Sequence, residues 1–274
     1  LRRVPIILGT NRYESKLFNM RNPRFVRWGE GEGILARVFS WVGMDELPLE
    51  IMRPDFYNAV NQYSSDSWKE RAADTPARQL IASGHKDTYV YRFDWDDLPV
   101  FQGVDFGVLA GAAHAMELLF LFPAAFDNFV IKNIVIKDSY DGVKKLSDQM
   151  MSYWAEFAYS GRPGRGRSRN LPLWNEWSES SADAPKFIIF DTVADNGIRM
   201  SSDSLTKSGL MAAIAMDPEI IDFKDKCELV DTAIQYDDLM EPGYLKEFDE
   251  GLCSNLDPEN WRRYWYENME HIGE

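Results

Sequence analysis

The nonapeptide DTYVYRFDW, residues 87–95, restricts the possible folds more than any other stretch of this chain. Tyr89, Tyr91 and Phe93 alternate with Val90, Arg92 and Asp94, the period-two pattern of a β-strand rich in aromatic and β-branched residues. Two shorter apolar runs accompany it. Val4–Leu8, ending at Gly9, and PKFIIFD at Pro185–Asp191 read as buried strands. Long helical stretches separate the three. Residues 21–88 read as mostly helical, and Lys145–Tyr159 carries Leu146, Met150, Tyr153, Trp154 and Phe157 on one face. Strands spaced by helices predict an α/β protein with a sheet flanked by helices.

Composition narrows the class. With 45% hydrophobic and 14% aromatic residues in 274 positions, the chain can bury a sizeable core. Its formal net charge of −14 argues against a nucleic-acid partner, which would require a basic face. The longest apolar run, Met116–Ala125, contains Glu117 and Pro123 and is too short to span a membrane. The two cysteines, Cys227 and Cys253, lack the spacing of a metal site, so no metal is expected; a disulfide between them and two thiols both remain open. Arg162, Arg165, Arg167 and Arg169 form a basic island that reads as a solvated loop.

Among the three histidines, His85 and His271 read as exposed side chains. His114 differs, because Gly111, Ala112, Ala113 and Ala115 surround it with small side chains between a strand and an apolar run. Glu14 follows the first strand on a polar turn, a place from which a carboxylate can orient an imidazole. Taken singly, His114 reads as a structural histidine and Glu14 as a carboxylate at a helix start.

Together and in order, these segments resemble a known family. VPIILGTNRYESKLF, then YVYRFDW and GAAHAMELLFLF, then LSDQMMSYWAEFAYSGRPG, LPLWNEW and FIIFD resemble the C-terminal half of the type-B carboxylesterase, cholinesterase and lipase family of α/β-hydrolases, over roughly residues 3–195. The resemblance implies a mostly parallel sheet flanked by helices, incomplete without an N-terminal half. It implies that Glu14 is the triad acid, His114 the triad base and Glu117 a supporting carboxylate. No cofactor is implied. Tyr13 stands where the family usually has Asp, and Ala115 where Gly commonly follows the histidine.

No GxSxG and no Gly-rich oxyanion loop occur in the sequence, and in the family both belong to the N-terminal half. The chain is therefore expected to be a truncated portion of a serine carboxylester hydrolase. Its expected partners are that N-terminal half and a small, uncharged carboxylic ester. Trp28, Phe25 and Trp41 are candidate pocket residues. Residues 1–214 are expected to form the catalytic-domain portion, and 215–274 an acidic helical extension packed on it. There the stripe Trp261–Met269 reads as a docking face, with a homodimer seam as the option the resemblance adds. The alternative function is a catalytically inactive, cholinesterase-like interaction domain. Retention of Glu14 and His114 argues against it.

Overall fold

A computed structural model describes residues 4–30, 46–128, 131–220 and 222–234. In chain order the elements are β1 (Ile6–Asn11), α1 (Lys16–Asn19), β2 (Val26–Gly29), β3 (Leu47–Ile51), α2 (Pro54–Lys69), α3 (Thr75–Ala82) and β4 (Thr88–Phe93). They continue through β5 (Val100–Phe101), β6 (Val104–Asp105), α4 (Phe106–Leu109), α5 (Met116–Leu121), α6 (Tyr140–Ser160), β7 (Phe187–Phe190), β8 (Arg199–Ser201), α7 (Lys207–Met216) and α8 (Phe223–Ile234). The chain divides into two compact units. Among the described residues, one is drawn from the ranges 1–14, 68–100 and 105–205, and the other from 15–67, 101–104 and 206–234.

The first unit holds a four-stranded sheet of order β1-β4-β7-β8. β1 lies parallel to β4 and β4 parallel to β7, while β8 closes the edge antiparallel to β7. The fold is α/β with a mostly parallel sheet and flanking helices, as expected for part of an α/β-hydrolase. Alternation along the strands sends side chains to two separate cores. Tyr89, Phe93, Ile188 and Phe190 pack with Val143, Leu146, Met150 and Tyr153 of α6. Val90, Phe187 and Ile189 pack instead with Ala73, Ala77 and Trp177. Burial on both faces is what parallel sheets require, and each fully buried large side chain contributes about 1.5–3 kcal/mol.

β1 continues past its predicted end at Leu8 because Gly9 is a place of close approach and does not break the strand. A Cβ there would lie 1.9 Å from the Tyr91 ring on β4. α6 likewise starts five residues earlier than its apolar stripe indicates, and it ends on Gly161 at φ +77, a left-handed C-cap.

The second unit corrects the reading of 21–88 as mostly helical. β2 and β3 pair antiparallel, from Val26↔Ile51 to Gly29↔Leu47. Phe25 is buried, its ring 6.1 Å from Phe56 and 5.6 Å from Tyr57, so it belongs to a core. Trp28 donates its indole N–H to the Met20 carbonyl and lies under the Arg21 guanidinium. Arg24 with Glu228, and Arg53 with Asp225, form ion pairs. Cys227 is buried in α8 and disulfide-bonded. Trp41, Cys253, His271 and the stripe Trp261–Met269 lie outside the described residues.

His85 departs from its expected exposure. It is 8% exposed, with Nε2 buried. The four arginines of 162–169 are exposed, Arg167 pairing with Glu156 at 3.1 Å.

Candidate active site

Three parallel strands end side by side, since Asn11 of β1 is in register with Phe93 of β4, and Phe93 with Phe190 of β7. The segments leaving these ends carry the polar chemistry of the first unit, as in other open α/β sheets.

Beyond β1 the chain turns through Arg12 and Tyr13 and folds the Glu14 carboxylate back on the strand end. Glu14 Oε1 accepts from the Asn11 backbone N–H at 2.7 Å. The other oxygen, Oε2, lies 2.7 Å from His114 Nδ1. A carboxylate can only accept, so Nδ1–H donates, and this tautomer leaves Nε2 as the basic nitrogen. The Glu14 side chain is 6% exposed and that of His114 is 42% exposed. Burial raises the Glu14 carboxyl above its ordinary range. The Asn11 N–H and the His114 imidazole oppose that rise, and the Glu117 charge adds to it.

The histidine loop is built by local constraints. Asp105 caps α4 through the N–H groups of Gly107 and Val108. Gly111 follows at φ +48, where a Cβ would meet the Gly107 carbonyl at 2.8 Å. Ala115 adopts φ +67, the left-handed region that glycine favours, which costs about 1 kcal/mol for alanine. The family's preference for glycine after the histidine thus has a backbone reason, and this chain tolerates the strain.

Asn11 ties the loop to the strand end, and nothing in its spacing marked it beforehand. Its Nδ2 donates to the Ala113 carbonyl at 2.6 Å and to Glu117 Oε2 at 2.5 Å. Tyr13, the other departure from the family pattern, adds a backbone N–H to the Ala112 carbonyl at 3.0 Å. Glu14, His114 and Glu117 therefore meet around one asparagine. A second unforeseen neighbour is Trp68, whose ring centroid lies 5.3 Å from that of His114 at an interplanar angle of 37°.

Acidic residues leave the other two strand ends. Arg92 holds Asp94 through two bonds of 2.6 and 2.7 Å. Thr192 donates its hydroxyl to Asp97 at 3.0 Å and its backbone N–H to Asp191. Burial, with the charges of Asp94, Asp195 and Asp96, pushes the Asp191 carboxyl up to about 7. Asp97, Asp191, Thr192, Lys145 and Leu146 line a recess of about 650 Å³, to which Glu14, His114 and Glu117 contribute no wall. Among the described residues, no cluster of three or more His, Cys, Asp or Glu could hold a metal ion, and no helix is long and apolar enough to cross a membrane.

Chemically, the arrangement offers a buried carboxylate, an imidazole held in one tautomer, and an Nε2 edge directed away from the acid. The chain is similar to a thermophilic PNB esterase of known structure, at 16% identity and a TM-score of 0.35; the match covers 72% of this chain and spans 36% of that esterase's length. The model of the carboxylesterase family matches residues 48–196, which include His114 and Glu117 and amount to more than half of the sequence. The chain belongs to the carboxylesterase family.

Proposed function

We propose that this chain supplies the acid and the base of a serine carboxylester hydrolase. The serine nucleophile and the oxyanion donors come from polypeptide outside this sequence, corresponding to the family's N-terminal half. The observation that carries the reading is the 2.7 Å contact between His114 Nδ1 and the buried Glu14 carboxylate, on a chain of this family.

In this mechanism His114 Nε2 takes the hydroxyl proton as the serine attacks the ester carbonyl. Glu14 holds the ring in the Nδ1–H tautomer and stabilises the imidazolium that forms. The same Nε2 proton then passes to the leaving alkoxide, releasing the alcohol and leaving an acyl-serine. Water, deprotonated by Nε2, hydrolyses the acyl group and restores the serine. Glu117 acts one step removed, through its bond from Asn11. The substrate is a small, uncharged carboxylic ester.

The test joins this chain to its N-terminal counterpart and measures hydrolysis of a neutral short-chain ester. The complete protein is expected to turn over and this chain alone is not. His114→Ala is expected to lower kcat on the order of 10⁴-fold. Undiminished turnover in that variant assigns the chemistry elsewhere, and a complete protein without turnover favours the interaction-domain reading.

A further inference from the structure

Resting on the esterase reading above, we propose that Trp68 is a positioning residue for His114. Its indole packs against the imidazole in a tilted pair while Glu14 holds the Nδ1 edge, so the ring keeps one tautomer and one orientation. The histidine needs such support. Its side chain is 42% exposed, whereas its acid partner is 6% exposed, so burial alone does not fix the ring. The Nδ1 bond to Glu14 sets the tautomer but does not by itself stop the ring rotating about that bond. A second aromatic surface with centroids 5.3 Å apart, inside the range in which ring pairs attract, removes that rotation.

Trp68 can serve only if its own backbone is fixed, and the next six residues fix it. The helix passes from α2 into a π-helical turn at Glu70–Asp74. Lys69 Nζ bonds both Asp74 oxygens, at 2.6 and 2.7 Å, and the two side chains are 3% and 0% exposed. Positions five apart diverge by about 140° around an α-helix, so this pair forms only because the turn is widened. Asp74 also accepts from the Leu205 backbone N–H at 2.7 Å, and Lys69 Nζ sits 4.1 Å from the Phe187 ring centroid. The residue next to Trp68 is thus anchored to β7 and to the end of the first unit.

The experiment uses this chain labelled in its histidine rings. The protein has three histidines, and His114→Gln identifies the signal of interest. In Trp68→Leu, the carbon-bound ring protons of His114 are expected to lose the ring-current shift of the indole. The two ring nitrogens should move toward a mixture of tautomers. Glu14→Gln should produce the second change without the first. Trp68→Phe keeps an aromatic ring and should give a smaller shift of the same sign, which covers the case in which leucine unfolds the chain. Unmoved His114 signals in either folded Trp68 variant overturn the proposal.

A second readout takes the complete enzyme. There Trp68→Leu is expected to lower kcat about fivefold at unchanged KM. A raised KM at unchanged kcat would make Trp68 a substrate wall and overturn the positioning role. Should the complete protein hydrolyse no ester, the proposed function falls, while the histidine signals still decide whether Trp68 holds the ring.

Discussion

Two clusters of carboxylates leave the same row of parallel strand ends and meet different fates. At the end of β1, Glu14 is surrounded by donors: the Asn11 N–H, the His114 Nδ1–H and, one residue removed, the Asn11 amide that occupies Glu117. At the ends of β4 and β7, Asp191 faces Asp94, Asp96 and Asp195, and its carboxyl is pushed up to about 7. Burial acts on both. The difference lies in the partners, because Glu14 accepts from the Asn11 N–H and faces the His114 ring, both of which lower its carboxyl, whereas the charges around Asp191 raise it further. The first arrangement surrounds its carboxylates with donors; in the second, Asp191 changes its charge near neutral pH.

The comparison breaks most completely at Asn11. Asn11→Asp puts a third carboxylate between Glu117 and the Ala113 carbonyl, both of which now accept from its amide. Loss of two bonds and a new buried like charge should cost about 3–5 kcal/mol at pH 8. The new acid has its folded-state pKa raised, so this cost should shrink as the pH falls and the group binds a proton. Asn11→Ser, with no added charge, should cost less and show no such pH dependence. Urea unfolding of each variant at pH 5 and pH 8 measures both quantities. Equal losses for Asp at the two pH values would mean that charge separation is not what Asn11 provides.

Sequence reading had a clear view of one part of this contrast and little of the rest. Taken singly, Glu14 and His114 read as structural residues; the ordered run of family-like segments around them, with the small neighbours of His114, is what singles them out. Nothing singles out Asn11, because its role depends on a donor reaching across 106 residues to Glu117, and no local pattern encodes that. Trp68 was hidden among helical aromatics for the same reason. The strand at Thr88–Phe93 was legible from alternation alone, while Arg199–Ser201 was missed, since three polar-flanked residues carry no period. The paired strands β2 and β3 fall in a stretch whose sequence predicts helix, because runs of four and five residues are too short to show alternation among Arg and Pro. The acids of 94–97 and 191–195 were visible as letters, but their proximity follows only from the parallel register of β4 with β7.

The second cluster offers the next largest effect, with the opposite sign. Asp191 has a folded-state pKa of about 7 against 3.8 in its ordinary state. A raised acid favours the fold while protonated, so the stability it contributes is complete below pH 4 and is lost as pH rises toward and through 7. Full retention of that shift would correspond to about 4 kcal/mol, and relaxation of the neighbours reduces it. Asp191→Asn keeps an oxygen for the Thr192 N–H and cannot ionise. It should be about 1–3 kcal/mol more stable than the parent at pH 8 and indistinguishable from it at pH 4, by urea unfolding. A variant no more stable at pH 8 would show that burial and the charges of Asp94, Asp195 and Asp96 do not hold the Asp191 carboxyl up, and the contrast between the clusters would fall.

The smallest effect tests the first cluster from within. Burial raises Glu14 and the Glu117 charge adds to that rise, while Asn11 and His114 lower it. Glu117→Gln retains an oxygen to accept from Asn11 Nδ2 and removes the charge, so the geometry should persist and stability at neutral pH should change by less than about 1 kcal/mol. The Glu14 proton should then be lost at lower pH than in the parent, because a neighbouring negative charge that favours the protonated form is gone. In the complete enzyme this appears as a small acid-side shift in the lower limb of the kcat/KM profile, with the plateau unchanged. A fall of the plateau by tenfold or more would make Glu117 part of the proton path. A shift approaching that expected of directly abutting carboxylates would mean that Asn11 leaves them exposed to each other, and the contrast between the two clusters would fall.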